Sequence, residues 1–405
     1  MKILFVINTL GQAGAEMALL ELLRYFSGKN KGTSEYEVSL YVMLGQGELV
    51  AQLPQNVKLL NSHYHAQPVL TKKGRMLMIR TMVSSFFKNG RIMHKLWLLC
   101  SGLVEMGKNR RVSMDKLCWR ILSEGAVQLT DTYDLAVAFL EGASTYFVAD
   151  HVKAKKKAAF VHIDYAGAGY TRGLDRGCYQ AFDRIFAVSD EVKGQFEAMY
   201  PEHRHKMRVL HNLVNQERIR MLANGPGGFS DGFGGFRILT VGRLVYQKAY
   251  DVALLALKEL IHSGFKVRWY VLGEGPMRAA LERQIENLRL TEDFVLMGAV
   301  ENPYPYYKQC SLYVHATRFE GKSIAIQEAQ TLGCAILASD CNGNREQITD
   351  NVDGRFCQLT PEGIASGIRQ LLEDEALRKR LGQAAARRTV GNEAELGRLL
   401  ELLSH

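Results

Sequence analysis

The chain has 405 residues, of which 47% are hydrophobic and 23% charged, a balance ordinary for a soluble globular protein with two domains of α/β size. No apolar run reaches the roughly 18–20 residues of a membrane span, and no small-residue cleavage site follows the N-terminal MKILFVINTLG, so we expect a first buried strand there. The seven scattered cysteines form no CxxC pair, which favours free thiols in a reducing, cytoplasmic compartment over a disulfide frame or a zinc site. The net charge of +9 is local, because residues 71–120 hold twelve Lys or Arg against two acids.

The first half alternates between buried strands and helices. Six apolar runs predict strands, in the order KILFVIN, YEVSLYVML, VKLLN, DLAVAFL, AAFVHI and DRIFAVS. After the first run, GQAGAE predicts a loop and MALLELLRYF a helix. This alternation is typical of a parallel sheet with helices on both faces.

Residues 66–120 interrupt that pattern with basic residues set among Met, Leu, Phe and Trp. They predict a helical excursion, for which two explanations stay open. Either its apolar face packs on its own domain and its basic face is solvated, or it is an interfacial segment attracted to anionic lipid. Nucleic-acid binding is not favoured, because no recognised binding motif accompanies the charge.

The second half repeats the α/β pattern after a glycine-rich stretch. Residues 224–235, NGPGGFSDGFGG, hold six glycines and one proline and predict a flexible linker. Further strands are predicted at FRILTVG, VRWYVLG, FVLMG, CSLYVHA, CAILAS and GRFCQL. We therefore expect two Rossmann-like α/β domains, 1–223 and 236–385, facing each other across a cleft. A C-terminal helix over 386–405 either packs back on the first domain or covers the surface.

Ligands of open α/β sheets lie beyond the carboxyl ends of the strands, which directs attention to the loops there. Arg243 comes just after a predicted strand and Lys248 precedes the next helix. A planar guanidinium and a mobile ammonium at one sheet edge suit a diphosphate.

FEGKSIAIQEAQTLG, residues 319–333, carries two glutamates eight positions apart. Glu320 lies in a predicted loop, and Glu328 lies in the following helix, whose core face is predicted to hold Ile324, Ala325, Ala329 and Leu332. The first N–H groups of that helix, at Ser323 and Ile324, form an anion site. On periodicity alone, two carboxylates closing on a ligand and an ordinary capped surface helix are equally supported.

These pieces together resemble the retaining glycosyltransferases of family 4, which have the GT-B fold. Glu320 and Glu328 match the family's E-x7-E motif, and the stretch with Arg243 and Lys248 is similar to its "VGRL…KG" clamp. FDRIFAVSDEVKGQF, VLHNLVN and VLGEGPMRAALE fall in the family's order and spacing. The resemblance is dense over about 158–385 and thinner towards the N-terminus.

The resemblance implies a sugar-nucleotide donor held mainly by the second domain. Arg243 and Lys248 would bind the diphosphate, Glu328 the ribose hydroxyls and Glu320 the transferred sugar. The loop near Gly298 and Val300 would hold the base. In the first domain, the loop at Gly14 would approach the phosphates, because a side chain there would block backbone approach.

His162, at the end of the predicted strand AAFVHI, and Asp164, two residues further on, are the site candidates of this loop. A lone histidine at a strand end is more often structural, but the resemblance places His162 beside the transferred sugar, contacting it without acting as a nucleophile. Asp164 is an acceptor-side candidate. No Asp-x-Asp pair occurs in the sequence, so we expect cations and helix N-termini, and not a metal or other cofactor, to neutralise the diphosphate.

The sequence also departs from the family pattern. Ala249 replaces a common Gly in the clamp, and Lys322 and Ser323 replace a common aromatic and a small residue after "EG". Asn344 and Arg345 stand where a small residue and proline are usual. Lys322 and Arg345 would add positive charge near the donor, so a uronic acid donor or an anionic acceptor becomes possible.

The resemblance implies a cytoplasmic-facing glycosyltransferase that moves a hexose or N-acetylhexosamine from a UDP-sugar to a cell-envelope glycan or lipid-linked acceptor, with peripheral contact to the membrane's inner face. Retention would follow attack on the face that the diphosphate leaves, with that phosphate accepting the acceptor's proton. A UDP-sugar epimerase on the same fold and a non-catalytic sugar-nucleotide-binding scaffold are the alternatives. A dehydrogenase is disfavoured, because no G-x-G-x-x-G follows the first strand.

Overall fold

The computed structural model describes residues 1–28, 35–69, 71–108, 114–165, 168–389 and 393–403. The chain divides into two compact units. The first unit comprises Met1–Leu213 together with Glu393–His405, and the second unit comprises Val214–Asn392.

The first unit is built on a seven-stranded sheet of order β3-β2-β1-β4-β5-β6-β7 in which every pairing is parallel. The strands are β1 (Lys2–Ile7), β2 (Glu37–Val42), β3 (Val57–Leu59), β4 (Thr132–Ala138), β5 (Lys153–Val161), β6 (Arg184–Ala187) and β7 (Met207–Val209). The six predicted runs are all strands, and the short β7 was not among them. The apolar runs are strands because both faces are covered, which leaves Ile3–Ile7 buried without interruption.

Helices cover this sheet and build a further layer. The helices are α1 (Gly14–Gly28), α2 (Lys72–Phe87), α3 (Ile92–Lys108), α4 (Met114–Glu124), α5 (Ala143–His151), α6 (Arg172–Asp175) and α7 (Asp190–Met199). The predicted excursion over 66–120 forms α2, α3 and most of α4; its residues 70 and 109–113 lie outside the described residues. Helices α2 and α3 both pack on α4, which packs on α5. No helix among the described residues is long and apolar enough to cross a membrane.

The second unit is a six-stranded parallel sheet of order β10-β9-β8-β11-β12-β13. Its strands are β8 (Phe236–Val241), β9 (Val267–Leu272), β10 (Phe294–Gly298), β11 (Leu312–His315), β12 (Ile336–Ser339) and β13 (Arg355–Cys357). Its helices are α8 (Gln216–Leu222), α9 (Tyr250–His262), α10 (Arg278–Leu288), α11 (Tyr304–Gln309), α12 (Ile324–Thr331), α13 (Asn342–Arg345), α14 (Pro361–Glu373) and α15 (Glu375–Ala386). From β8 the chain adds β9 and β10 on one side of the sheet, and then adds β11, β12 and β13 on the other side. Such sheets bind ligands at this switch point, between β8 and β11.

The boundary between the units differs from the predicted one. We expected the first domain to end at residue 223, but the division falls after Leu213, and α8 belongs to the second unit. The glycine-rich stretch 224–235 therefore lies inside the second unit and does not link the two.

Two side chains fasten this stretch to the second sheet. The Phe229 ring lies 4.4 Å from the Tyr270 ring centroid. The Asp231 carboxylate accepts hydrogen bonds from Arg237 at 3.0 Å and Arg268 at 2.8 Å, and from the Tyr270 hydroxyl. The glycines allow the turns, several of them at positive φ, but the anchoring residues between them make the stretch part of the unit.

The C-terminal residues return to the first unit as short turns, with α16 (Gly397–Leu400) between two 3-10 turns, and not as one helix over 386–405. The Glu395 carboxylate pairs with His211, accepting from its backbone N–H at 2.9 Å and lying 2.8 Å from its Nδ1. Leu399 is fully buried. Residues 390–392 and 404–405 of the predicted helix lie outside the described residues.

Candidate active site

The predicted donor residues of the second unit lie at the carboxyl edge of its sheet. Arg243 is exposed just after β8, and a 3-10 turn at Tyr246–Lys248 follows. Ala249 then adopts the left-handed conformation at φ 46°, which glycine reaches more easily than alanine. That left-handed residue ends the turn and starts α9.

Lys248 lies in a small buried cluster with Glu320. The Lys248 ammonium forms an ion pair with Glu320 Oε2, and it also lies 3.4 Å from His315 Nε2. His315 Nε2 is 3.2 Å from the same carboxylate, and its Nδ1 is 3.1 Å from the Tyr313 hydroxyl. Gln247 Nε2 contacts the other carboxylate oxygen at 3.3 Å. The ion pair between Lys248 and Glu320 therefore links the turn after β8 to the loop after β11.

The cluster fixes the charge of each member. Burial alone would raise the pKa of Glu320, but the Lys248 charge and the His315 hydrogen bond hold that pKa well below its usual range. Burial, helped by the Lys248 charge, lowers the pKa of His315 to about 4 despite Glu320. His315 is therefore neutral at pH 7, so its Nε2–H donates to Glu320 and Tyr313 donates to its Nδ1. The sequence analysis missed His315, although CSLYVHA places it at a strand end.

Glu328 lies one to two turns into α12 and has a different environment. Its side chain is 8% exposed, and its two oxygens accept hydrogen bonds from the hydroxyls of Tyr304 at 3.1 Å and Tyr307 at 3.0 Å. Burial raises its pKa to about 7, and the two tyrosine hydrogen bonds only partly oppose this. No cation neutralises it among the described residues, in contrast to Glu320.

Helix α12 is buried more fully than its periodicity predicts. Residues 326–331 are all buried, with Ile326 and Ala329 in the apolar core, whereas the predicted core residues Ile324, Ala325 and Leu332 are only half-buried. Of the predicted core residues, Ala329 lies in the apolar cluster, and Ala325 and Leu332 pack against it. The prediction missed Ile326 and the buried polar residues because α12 packs between α8, α11 and α15. Ser323 precedes the first helical residue and is buried, with Ile324 beside it.

The residues predicted to hold the base lie on the same side of this unit. Gly298 ends β10 at φ 82°, beside the carboxylate of Glu274. Val300 packs, half-buried, against the apolar cluster that contains Tyr304 and Tyr307. Val300 thus packs against the same apolar cluster as the two tyrosines that donate to Glu328.

Two departures from the family pattern acquire structural roles here. Asn344 is fully buried and donates to the Ser339 carbonyl at 2.8 Å. Arg345 forms a two-pronged pair with Asp340 at 2.6 and 2.9 Å, so its charge is already neutralised and does not add a free cation. Lys322 is half-buried in the loop before α12.

In the first unit, Gly14 is exposed at the start of α1, and His162 and Asp164 follow β5. The His162 ring packs against Phe139 with centroids 5.0 Å apart, and its Nε2 is buried with no protein partner among the described residues. Burial lowers the pKa of His162 to about 4, and a hydrogen bond to the Phe139 backbone only partly opposes this. The free Nε2 of a neutral His162 is an acceptor for one hydroxyl group.

Glu141 is a second residue that the sequence analysis missed. It follows β4, is 3% exposed, and its carboxylate accepts from the His162 backbone N–H at 3.3 Å. Burial raises its pKa to about 7, and backbone hydrogen bonds, including the one from His162, partly oppose this. An acid directly before Gly142, which has φ 89°, was the available signal. Within the described ranges, no group of three or more His, Cys, Asp or Glu side chains is placed to hold a metal ion.

Comparison with known proteins finds similarity mainly in the second unit. Residues 234–388 match the family model described as glycosyl transferases group 1. The chain is 31% identical over 176 residues to the N-acetylgalactosamine-N,N'-diacetylbacillosaminyl-diphospho-undecaprenol 4-alpha-N-acetylgalactosaminyltransferase of Campylobacter jejuni, covering 43% of this chain and 46% of that protein. It is 30% identical over 151 residues to the amylovoran biosynthesis glycosyltransferase AmsD of Erwinia amylovora, covering 37% and 42%. The chain thus spans about half the length of these curated relatives.

Solved structures match the whole chain in fold. Anabaena HepE in complex with UDP and glucose superposes with a TM-score of 0.67 at 15% identity, covering 100% of this chain and 99% of that one. A complex of S. aureus TarM that contains UDP gives 0.66 at 13% identity and covers both chains fully. These likenesses confirm the expected fold of two Rossmann-like units. The second unit is thus similar to glycosyl transferases group 1, and the whole chain shares its fold with these solved structures.

Proposed function

We propose that the protein is a retaining hexosyltransferase. It moves a hexose or N-acetylhexosamine from a UDP-sugar to a hydroxyl of a cell-envelope glycan or lipid-linked acceptor. The observation that carries this proposal is the buried Lys248–Glu320–His315 cluster, with Glu328 eight residues beyond Glu320, at the carboxyl edge of a Rossmann-like sheet. The names of the relatives from C. jejuni and E. amylovora support the acceptor class.

The donor would bind through charge and hydrogen bonds of the second unit. Arg243 and Lys248 meet the diphosphate, and the first N–H groups of α12 at Ser323 and Ile324 add donors to it. Lys248 is held by Glu320 in the free protein, so a diphosphate that attracts Lys248 leaves the Glu320 carboxylate able to accept from hydroxyls of the transferred sugar.

The other residues orient the nucleotide and the sugar. Glu328, ionised above pH 7, accepts from the ribose hydroxyls, and Gly298 and Val300 form the place for the base. His162, neutral and with a free Nε2 among the described residues, accepts from a hydroxyl of the sugar without acting as a base. Gly14 lets the α1 loop approach the phosphates, and Asp164 meets the acceptor.

The reaction needs no covalent intermediate on the protein. The acceptor hydroxyl attacks the anomeric carbon on the face that the diphosphate leaves, the carbon–oxygen bond to phosphate breaks, and the departing phosphate oxygen takes the hydroxyl's proton. Lys248 and Arg243 stabilise the charge that develops on this phosphate. The configuration at the anomeric carbon is thereby retained.

The test is a transfer assay with a panel of UDP-sugars and with acceptors that are soluble glycans or undecaprenyl-diphosphate-linked sugars. We expect UDP release that depends on the acceptor and a product whose anomeric configuration, read by NMR, equals that of the donor. Lys248→Met should abolish turnover, and Met221→Ser, an exposed change in the same unit, should not.

Two results would contradict the proposal. UDP-sugar turnover to an epimer or to free UDP without any acceptor would support an epimerase. Tight nucleotide binding with no turnover on any acceptor would support a non-catalytic scaffold.

We place the enzyme at the cytoplasmic face of the membrane, in peripheral contact with it, because a lipid-linked acceptor is presented there.

A further inference from the structure

The outer face of α2 and α3 concentrates exposed apolar side chains. Of the eighteen large hydrophobic residues that are clearly exposed among the described residues, ten belong to these two helices. They are Met76, Ile79, Val83 and Phe87 of α2 and Ile92, Met93, Leu96, Trp97, Leu103 and Val104 of α3. Met93 is 78% exposed and Trp97 is 54% exposed. So much exposed apolar surface in one place marks a contact surface.

The exposed residues form one stripe on each helix, which we call the outer stripes. In α2 they recur at intervals of three and four residues from Met76 to Phe87. In α3 the adjacent pairs Leu96–Trp97 and Leu103–Val104 lie seven residues, or about two turns, apart. The opposite faces are already used, because Met78 and Met82 pack on the first unit's core and Met106 packs with Leu117. The core of the first unit is therefore contacted by other faces of these helices, and the outer stripes do not contribute to it.

The hairpin between α2 and α3 is held in place by its own polar contacts. The fully buried Lys95 ammonium donates to the Ser85 carbonyl at 2.9 Å and the Phe86 carbonyl at 3.2 Å, and also to the Lys88 carbonyl. Asn89 at the turn donates to the Ala126 carbonyl at 2.7 Å. Because both helices are fastened to α4 and the turn, the outer stripes are displayed in a fixed orientation.

The charged residues of the sequence from 71 to 104 are basic, and one of them, Arg91, lies 3.9 Å from the Glu124 carboxylate of α4. Between residues 71 and 104 the sequence has no Asp or Glu. The exposed basic residues there are Lys72, Lys73, Arg75, Arg80, Lys88 and Arg91. Lys72 and Lys73 even occupy the first turn of α2, where the helix dipole disfavours cations, so an external anion would relieve this repulsion.

We infer that the outer stripes lie on the surface of an anionic lipid bilayer, with α2 and α3 parallel to the membrane plane and the basic residues among its headgroups. An amphipathic surface with apolar residues between lysines and arginines has the properties of an interfacial membrane contact. A second copy of the chain is a poorer occupant, because it would bring two sets of six like charges together. The contact is confined to 72–104 within the expected excursion, since α4 packs inwards through Leu117, Ile121 and Leu122.

The purpose of this contact rests on the proposed function, since a lipid-linked acceptor is met at a membrane surface. The contact itself does not need a donor or an acceptor. A vesicle-binding experiment without nucleotide therefore tests the surface alone, and its failure would leave the transfer reaction untouched.

The test is flotation of the full chain with phosphatidylcholine vesicles, with and without about 30% phosphatidylglycerol. Two double variants remove one property each: Met93→Ser with Trp97→Ser removes apolar area, and Arg75→Glu with Arg80→Glu reverses charge. The matched controls lie in the second unit, where Met221→Ser removes an exposed apolar side chain and Arg283→Glu with Lys379→Glu reverses two exposed charges. Circular dichroism checks that every variant is folded.

We expect the wild type to float with anionic vesicles only, and to float less at about 0.5 M NaCl. Each double variant at the outer stripes should lower the bound fraction about tenfold or more, and the controls should equal the wild type. Trp97 is the exposed one of the chain's three tryptophans, so its fluorescence should shift to shorter wavelength with anionic vesicles, and Trp97→Phe should remove that shift.

Three outcomes would overturn the inference. One is wild-type flotation that does not depend on anionic lipid. Another is binding that neither double variant at the outer stripes weakens. The third is a concentration-dependent dimer that Met93→Ser with Trp97→Ser dissociates, because it would show that a second copy covers the outer stripes.

Discussion

Glu320 and Glu328 lie eight residues apart, and their pKa values move in opposite directions. Both carboxyl groups are buried, which alone raises the pKa of a carboxyl group. Glu320 has Lys248 beside it and stays ionised, whereas Glu328 has only the hydroxyls of Tyr304 and Tyr307. Near pH 7, Glu320 is therefore ionised, whereas Glu328 is partly protonated. Of these two glutamates, Glu328 is the one that titrates close to neutrality.

We expect the nucleotide affinity to report the charge of Glu328. A hydrogen bond to a charged carboxylate is worth about 1.5–3 kcal/mol, so Glu328→Gln should weaken UDP binding roughly tenfold or more at pH 8. At pH 6, below the pKa of about 7, the wild-type carboxyl is largely protonated and the deficit should shrink. Calorimetric titration with UDP at both pH values measures this, and an equal deficit at both would contradict it.

The Lys248–Glu320 pair gives a second prediction, on stability. Breaking a buried pair costs about 3–5 kcal/mol, because the remaining charge loses its partner in a dry site. Lys248→Met should lower the free energy of unfolding by about that amount, and Lys248→Met with Glu320→Met should recover most of it. Urea denaturation measures both.

A control on an exposed pair separates burial from charge. Lys379 and Glu375 form an exposed pair at 2.6 Å on α15, and Lys379→Met should cost less than about 1 kcal/mol. If the double variant at Lys248 and Glu320 were as unstable as the single one, the pair would not be the reason for the loss.

At the scale of elements, the composition of the glycine-rich stretch 224–235 does not reveal its contacts with the rest of the second unit. Glycine content predicts freedom of the backbone but says nothing about Phe229 and Asp231, whose partners Tyr270 and Arg268 come from a distant strand. The same limit explains why α12 is buried more fully than its periodicity predicts, since this burial depends on neighbouring helices that periodicity cannot locate.

We expect Asp231→Ala to loosen this stretch. The change removes acceptors for Arg237, Arg268 and Tyr270, and should lower the free energy of unfolding by about 1–2 kcal/mol, since solvent screens this exposed carboxylate. Hydrogen exchange of residues 224–235 should increase. Asp340→Ala, which breaks the exposed pair with Arg345, is the control and should cost less than about 1 kcal/mol. Unchanged exchange in Asp231→Ala would mean that Asp231 is not needed to hold the stretch.

The sequence predicted the strands well because buried parallel strands are continuous apolar runs, as KILFVIN and AAFVHI are. It also predicted the residues of the charged cluster that belong to recognisable loops, Lys248 and Glu320. It did not predict His315, Glu141 or the tyrosines on Glu328, because their importance comes from neighbours brought together by folding. A strand-end histidine has no pattern that separates it from a core histidine.

At the scale of the whole molecule, buried acids and buried histidines change the free energy of unfolding in opposite directions as the pH rises. The pKa values of Glu141 and Glu328 are raised to about 7, so the folded state binds more protons and stability falls as pH rises from about 4.5 to 7. The pKa values of His162 and His315 are lowered to about 4, so the unfolded state binds more protons and stability rises from about pH 4 to 6.5.

Single replacements should expose these opposing contributions. The wild type loses stability as pH rises because Glu328 releases its proton in the unfolded state, and Glu328→Gln has no such proton to release. The free energy of unfolding of Glu328→Gln, relative to the wild type, should therefore rise by about 1.4 kcal/mol per pH unit between pH 5 and 6.5. His162→Gln should show the opposite slope. Urea denaturation across this range measures both, and curves parallel to that of the wild type would show that neither group titrates as its burial requires.

The most direct test of the central claim, that Glu328 and the Lys248–Glu320 cluster hold a nucleotide-sugar donor, is thermal stabilisation by UDP. A ligand at a hundredfold excess over its Kd stabilises the native state by about 2.7 kcal/mol, which raises the melting temperature measurably. At pH 8 we predict the full rise for the wild type and for Glu375→Gln, an exposed control on α15, and a rise reduced to about half or less in Glu328→Gln. No rise in the wild type, or an equal rise in all three proteins, would contradict the account.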